Sequence, residues 1–313
     1  MTKLNEVTLV CVNCRKPLVY SPPKMICSNC GFTYQILQGI PIMLSQVLDP
    51  NTLYSIQKWD AYYRRIKETP NEFRKMRESY KQHLENDILP YLRKFWKIDY
   101  NQACNKTYLE IGCGPTFLGN RLAKMGMNVI GLDFSLEALN MASKLFDEAS
   151  LDATFICCDM SRTPIPSNTC DFIYGGGVLE HVKDTFSVVK ELYRVTKLGG
   201  QVFNTVPYLS LASLTYRQLW GNAPDLPLLG HLSETIHKRL IGGKHMIYGY
   251  EKSFFGSKLK FLFLQAGFRK VEIGLFDLHL ELTFIKSRTL KNFIRQLSKI
   301  RLFWHMVYIN VIK

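Results

Sequence analysis

Residues 108–133 read Tyr-Leu-Glu-Ile-Gly-Cys-Gly-Pro-Thr-Phe-Leu-Gly-Asn-Arg-Leu-Ala-Lys-Met-Gly-Met-Asn-Val-Ile-Gly-Leu-Asp. Tyr108 to Ile111 is a short, mostly apolar run carrying one carboxylate, Glu110. Gly112 and Gly114 permit a sharp turn and a close backbone approach to a ligand, because neither has a Cβ. Leu118, Leu122 and Met125 recur at helical spacing, and Asn128 to Leu132 returns as a strand ending in Asp133. The unit is a nucleotide-binding strand–helix–strand, with an acid about 20 residues after the glycines to receive ribose hydroxyls.

The third glycine position of a dinucleotide turn decides which nucleotide fits. Here it is Phe117, preceded by Pro115 and Thr116, and a bulky ring crowds a pyrophosphate. A nucleoside ligand without phosphate meets no such obstacle. Glu110, Gly112, Gly114 and Asp133 together resemble motif I of the class I S-adenosylmethionine-dependent methyltransferases. That resemblance implies an α/β fold with a seven-stranded Rossmann-like sheet, and S-adenosylmethionine as cofactor.

The 313 residues are 47% hydrophobic and 12% aromatic, which describes a globular chain with a sizeable core and excludes a disordered one. Met-Thr-Lys-Leu-Asn-Glu at the start has no apolar stretch of the secretory kind. Met25 to Leu48 and Leu198 to Tyr216 lack charge, but polar residues and proline interrupt both, so no transmembrane segment is expected. Nine cysteines, four of them in two Cys-x-x-Cys pairs, favour metal over disulfides and a cytoplasmic location. The formal charge is +14. Lys58 to Lys97 holds eleven Lys/Arg against six acids, and Phe284 to Lys313 seven with no acid. Such faces attract nucleic acid, anionic lipid or acidic substrates, or are simply solvated.

Cys11, Cys14, Cys27 and Cys30 stand in two pairs with a twelve-residue gap, suited to a hairpin carrying two knuckles around a tetrahedral four-sulfur site. Four thiolates close the shell, so a Zn2+ there is structural. Metal binding then supplies the folding energy that so small a stretch lacks. Leu9 to Leu44 resembles the zinc-ribbon family of activating subunits of tRNA, rRNA and protein methyltransferases. Tyr34, Ile36, Gly39, Ile40, Pro41, Met43 and Leu44 match its ending, and Gln35 replaces the usual Pro. Residues 1–45 are therefore expected as a zinc-ribbon domain, although many ribbons bind nucleic acid instead.

Asp49-Pro50 breaks the chain, and 46–105 reads as a helical lead-in. Ile56, Trp59, Tyr62, Tyr63 and Ile66 have helical spacing, and a second helical stretch from Asn71 to Leu89 should stop at Pro90. Trp59, Asp60, Tyr62 and Tyr63 loosely resemble the residues that cap the cofactor in small-molecule methyltransferases. An aromatic stripe at this spacing is also ordinary core.

Residues 106–313 are expected as the methyltransferase domain. A helix follows Asp133 and Phe134, then Thr154 to Asp159 reads as a third strand with Met160 after it. In the family such an acid accepts the adenine amino group, and the next residue packs on the ring. Cys170 to Tyr174 reads as a fourth strand, followed by Gly175-Gly-Gly-Val-Leu-Glu-His-Val182. This ending resembles small-molecule, lipid and quinone methyltransferases, and not the Asn/Asp-Pro-Pro-Tyr loop of adenine- and glutamine-methylating enzymes. Glu191 to Gly200 is expected as a helix plus turn, with Leu198 in place of the family's Pro, and Gln201 to Pro207 as a fifth strand. The resemblance places Glu110, Gly112, Cys113, Gly114, Asp133, Phe134, Asp159, Met160, Gly175 and Gly176 at the cofactor.

Residues 208–250, rich in Pro and Gly, read as a lid or substrate-binding insertion. Lys244-His-Met-Ile-Tyr-Gly-Tyr250 and Ala266-Gly-Phe268 resemble the family's C-terminal pattern, making His245, Tyr248 and Tyr250 acceptor-facing candidates and His231 and His237 weaker ones. Val271 to Phe276 is the sixth strand. The seventh is placed at His305 to Ile312 in preference to Leu280 to Lys286. Thr289 to Ile300 is then an amphipathic helix, which either packs on the sheet with a solvated basic face or docks on an anionic membrane or RNA.

A sulfonium methyl is already electrophilic, so the protein chiefly aligns the acceptor, and a base is needed only where the acceptor atom carries a proton. His181 is the candidate base, or a packed residue at a helix start. The expected function is methyl transfer from S-adenosylmethionine to a small or lipid-like molecule. The competing readings are an RNA methyltransferase, whose binding would fall steeply with salt, and a non-catalytic scaffold.

Overall fold

The computed structural model describes residues 8–44, 48, 50–98, 103–214, 223–239, 251–277 and 285–313. His245, Tyr248, Tyr250 and most of the alternative strand 280–286 lie outside them.

The central strands are β5 (Thr107–Ile111), β6 (Asn128–Asp133), β7 (Thr154–Cys158), β8 (Cys170–Gly176) and β9 (Thr196–Pro207). They are parallel to their neighbours, and antiparallel β13 (Met306–Ile312) and β12 (Arg269–Leu275) complete one flank. Every residue of β7 and all but the first of β5 are buried, because helices cover both faces. On one face Ile111, Val202 and Ile309 pack with Val188, Val189 and Leu192 of the helix Thr185–Val195. On the other, Tyr108, Phe155 and Phe203 pack with Trp96 and with Phe146 of the helix Leu136–Glu148.

Seven strands are expected, and seven are present in the order β7-β6-β5-β8-β9-β13-β12. The sheet nevertheless has eleven. Ribbon strands β1 (Leu18–Ser21), β2 (Lys24–Cys27), β3 (Thr33–Leu37) and β4 (Ile40–Met43) continue it, with β4 parallel to β7 and Ile42 opposite Cys157. The extension covers the exposed hydrogen-bonding edge that β7 would otherwise present.

Three further expectations are corrected. The lead-in does not stop at Pro90: α1 (Pro50–Glu68) is followed by α2 (Pro70–His83), a π turn (Leu84–Ile88) and α3 (Leu89–Trp96). Pro90 falls in the first turn of α3, where a missing N–H is tolerated, and the wider turn before it bonds Leu89 N–H to Leu84 O. The expected turn at Leu198-Gly-Gly belongs to β9, which starts at Thr196. The helix Arg288–Ser298, capped by Ser287, does not pack on the sheet: Ser298 is its one buried residue. The seventh strand is at β13 as placed, and the insertion is tied at its root where β10 (Ala223–Pro224) pairs with β11 (Lys252–Ser253).

Candidate functional site

β5 ends at Ile111, and the chain turns through Gly112 (φ 54°) and Gly114 (φ 50°). A Cβ at Gly112 would stand 2.7 Å from Val178 Cγ2, and one at Gly114 would stand 2.7 Å from the Tyr63 hydroxyl. Both conformation and space therefore require glycine. Asp133, at the end of β6, holds this turn by accepting from Gly114 N at 2.8 Å and Ser135 N at 2.8 Å. Burial raises its carboxyl to about 6.

Glu110 and Cys113 sit differently from Asp133. Glu110 is buried beneath the turn, where Oε2 accepts from Thr116 Oγ1 at 2.6 Å, Tyr108 Oη at 3.0 Å and Gly119 N at 3.2 Å. Burial raises it to about 7. It staples β5 to the helix Phe117–Ala123. The Cys113 thiol packs inward, 3.4 Å from Gly114 O, and burial pushes it well above its ordinary value.

Three hollows open along the carboxyl ends of β5 to β8. One of 140 Å³ is lined by Gly112, Asp133, Phe134, Met160, Gly176 and His181, with Trp59, Tyr63 and Tyr80 over it. A second, of 380 Å³, lies on the far side of Phe134 and Met160 and contains Asp159, whose Oδ1 accepts from Ser161 N at 2.7 Å. Ribbon residues Val12, Asn13, Met43 and Leu44 form part of its wall. The third, of 170 Å³, shares Tyr80, Gly112, Gly176 and Gly177 with the first, is walled mainly by Phe117, Tyr174, Phe276 and Met306, and is also lined by Glu110 and Cys113. Together they run from Asp159 past Asp133 to an aromatic chamber. A wider hollow of 650 Å³ lies at the opposite ends of the strands, near Thr107, Asn128 and Thr154, and holds none of the motif residues.

The aromatic stripe of α1 closes this cleft. Trp59 stacks on Tyr63 at 5.9 Å, and Asp60 accepts from Ser135 Oγ at 2.6 Å and Glu137 N at 3.3 Å. The cap is therefore hydrogen-bonded to the helix that follows Asp133. Gly175 lies behind the cleft, where a Cβ would meet Asn204 Oδ1 at 2.3 Å, while Gly176 and Gly177 line the cleft itself. His181 sits on a short 3-10 turn (Leu179–His181), edge-on to Trp59, with Nδ1 3.3 Å from Glu251 Oε2. Glu180 joins them, so the ligand atoms of all three lie within 4.8 Å of one another. Nothing in the motifs marked Glu251, Gly177 stood in the quoted Gly175–Val182 stretch without being singled out, and no periodicity announces the ribbon's share of the wall. Of the weaker candidates, His231 is exposed on the helix Pro227–Arg239, which also carries His237.

The ribbon cysteines converge. Cys11 and Cys30 sulfurs are 3.6 Å apart, Cys14 and Cys27 3.4 Å, and all four lie within 4.8 Å of one another. A tetrahedral site with 2.3 Å zinc–sulfur bonds has edges of about 3.8 Å, which this set fits. Backbone N–H donors, that of Cys30 first, pull the Cys27 thiol down to about 6. The Tyr34 hydroxyl lies 3.1 Å from Cys11 Sγ. The ribbon is joined to the larger body by Val10 N to Pro164 O at 2.8 Å and by Arg15, which donates to Thr163 O at 2.5 Å and pairs with buried Glu191 at 3.3 Å.

The family model described as Methyltransferase domain matches residues 109–204. A demethylmenaquinone methyltransferase of Oceanobacillus iheyensis is 30% identical over 201 residues, 60% of this chain and 82% of that protein. A ubiquinone biosynthesis O-methyltransferase of Vibrio cholerae is 27% identical over 168 residues, 53% of this chain and 64% of that one. Among solved structures, the complex of the Haloferax volcanii Trm112 methyltransferase activator and a methyltransferase aligns with TM-score 0.53 at 14% identity, over 82% of this chain and 95% of that one. Haemonchus contortus phosphoethanolamine N-methyltransferase 2, bound to phosphomonomethylethanolamine and S-adenosylhomocysteine, gives 0.50 at 19%, over 72% and 52%. At these identities the two structures speak for the fold.

Proposed function

Since the chain belongs to the S-adenosylmethionine-dependent methyltransferases, we propose that it methylates a hydroxyl or ring carbon of a small quinone-type acceptor with a lipid-like tail. The chamber beside Gly112 and Gly176 carries this reading. Phe117, Tyr174, Phe276 and Met306 offer a flat aromatic ring apolar walls at the place where the cleft reaches the cofactor turn. The quinone acceptors named for the relatives support a small molecule over RNA.

Asp133 accepts the ribose hydroxyls, Asp159 the adenine amino group, and Phe134 and Met160 enclose the ring. The cofactor supplies an electrophilic methyl, so the protein's work is to align the acceptor and to take its proton where it has one. His181 takes that proton. Glu251, whose Oε2 lies 3.3 Å from Nδ1, would hold the proton on that nitrogen and leave Nε2 as the base. Cys11, Cys14, Cys27 and Cys30 hold a structural Zn2+. His245 and Tyr248 remain candidates to face the acceptor.

The test is to incubate the metal-replete protein and the cofactor with demethylmenaquinol and with hydroxylated ubiquinone precursors. A product one methyl heavier, by mass spectrometry, is expected with at least one of them. Methylation of RNA with none of them turned over would overturn the reading.

A further inference from the structure

The cleft opens along one edge of the sheet, and two insertions leave that same edge. Residues 208–251 follow the end of β9 at Pro207, and residues 276–305 join β12 to β13, whose Met306 is paired with Pro207. The second insertion carries the helix Arg288–Ser298, with Leu290, Phe293, Ile294 and Leu297 on one stripe and Arg288, Lys291 and Arg295 beside it. Apolar stripes normally turn inward. Here Ile294 and Leu297 are half-buried, but Leu290 is 49% exposed and Phe293 60%, and Ile300 and Leu302 just beyond are 53% and 56%. No acidic residue occurs from 284 to 313, and Lys286, Lys299 and Arg301 add to the positive charge. On the first insertion, Leu228 is 87% exposed and Leu229 54%.

We propose that this edge docks on an anionic lipid bilayer, with the helix Arg288–Ser298 lying in the headgroup plane. An apolar stripe on a helix whose charges are all cations is the pattern that binds such a surface, since the stripe enters the acyl boundary while the cations meet lipid phosphates. A nucleic acid would use the cations and leave Leu290 and Phe293 in water. A protein partner that covered the stripe would bring acids to match cations, and a second copy of this helix would bring none. The bilayer also places the mouth of the cleft where an acceptor with a lipid tail resides, so the surface complements the proposed acceptor without depending on it.

The experiment is flotation of the full, metal-replete chain with phosphatidylcholine vesicles, with and without phosphatidylglycerol, and with neither cofactor nor acceptor present. Binding is expected only with phosphatidylglycerol, weakened by salt. Lys291→Gln should weaken it about fivefold, and Leu290→Glu with Phe293→Glu should abolish it while cofactor affinity stays unchanged. Leu290 and Phe293 are exposed, and unchanged thermal unfolding of the double variant would show the fold intact. Absence of flotation, equal flotation of the double variant, binding to RNA alone, or a dimer that Phe293→Glu dissolves would each overturn the proposal. Failure here leaves methyl transfer to soluble acceptor analogues untouched, so the two readings fail separately.

Discussion

The two flanks of one sheet have been finished in opposite ways. At the ribbon flank the chain covers itself: β4 pairs with β7, Arg15 reaches Glu191, and Leu9, Tyr34 and Met43 join the common core. At the other flank β12 ends the sheet, and the helix beyond it leaves Leu290 and Phe293 in the open. In the proposed reading the cofactor would lie toward the closed flank and the acceptor toward the open one. The wall of the first hollow is fixed by internal contacts, while the other end keeps surface for something outside the chain.

Removing the metal should break the contrast most severely. Stripping it with a chelator, or Cys14→Ser with Cys27→Ser, should unfold the ribbon, lower the melting temperature, and weaken cofactor binding about tenfold through loss of the wall at Val12, Met43 and Leu44. Calorimetry on holo and stripped protein measures both effects. An unaltered cofactor affinity would detach the ribbon from the site. Asp133→Ala comes next. Losing two charge-assisted hydrogen bonds should cost about 3 kcal/mol, or about 100-fold in cofactor affinity.

Acidity sharpens the same point with opposite signs. Burial holds Asp133 at about 6 and Glu110 at about 7, above their ordinary values of 3.8 and 4.5. Their protonated forms are favoured by the fold. Their contribution to stability is therefore complete below the ordinary values and is lost as pH rises through about 7. Ligand-free protein should melt lower at pH 8 than at pH 5.5 relative to a Glu110→Gln control. Cofactor affinity should run the other way, falling as pH drops below about 6, because in the proposed reading only ionised Asp133 would accept both ribose hydroxyls.

At the open end, Glu251→Gln should lower kcat about tenfold and move its acid-side loss to lower pH, because the lost carboxylate no longer favours protonated imidazole, with cofactor affinity unchanged. Steady-state kinetics over pH measures this, and an unchanged profile would remove His181 as the base. The smallest effect belongs to the seam: Arg15→Ala should cost about 1 kcal/mol of stability, since the Arg15 side chain is 33% exposed while Glu191 is buried.

How legible each part was follows from how local its cause is. Gly112, Gly114 and Asp133 lie within one strand–helix–strand unit, so spacing and backbone demands announced them. Cys11 to Cys30 announced themselves in the same way, because a metal shell needs paired ligands at short range. Trp59 and Tyr63 were visible as a stripe, but only tertiary packing turns such a stripe toward a cleft. Glu251 meets His181 across 70 positions of chain, with no periodic signal between them. The pairing of β4 with β7 was equally hidden, since Ile-Pro-Ile-Met says strand and says nothing about its neighbour. Glu110 was legible as a position but not as a contact: the motif marks it, yet nothing in the spacing says that its carboxylate also accepts from Tyr108, Thr116 and Gly119 beneath a helix start.

The parallel seam between Ile42 and Cys157 joins positions 115 apart. During synthesis the four cysteines emerge, and can be metallated, long before β7 exists to receive β4. The ribbon must therefore wait, with one strand edge bare, until the third parallel strand of the larger body has left the ribosome. Such a long-range closure is slow. With a metal at the four cysteines, as proposed, its supply would act early and sheet completion late in the maturation of this polypeptide.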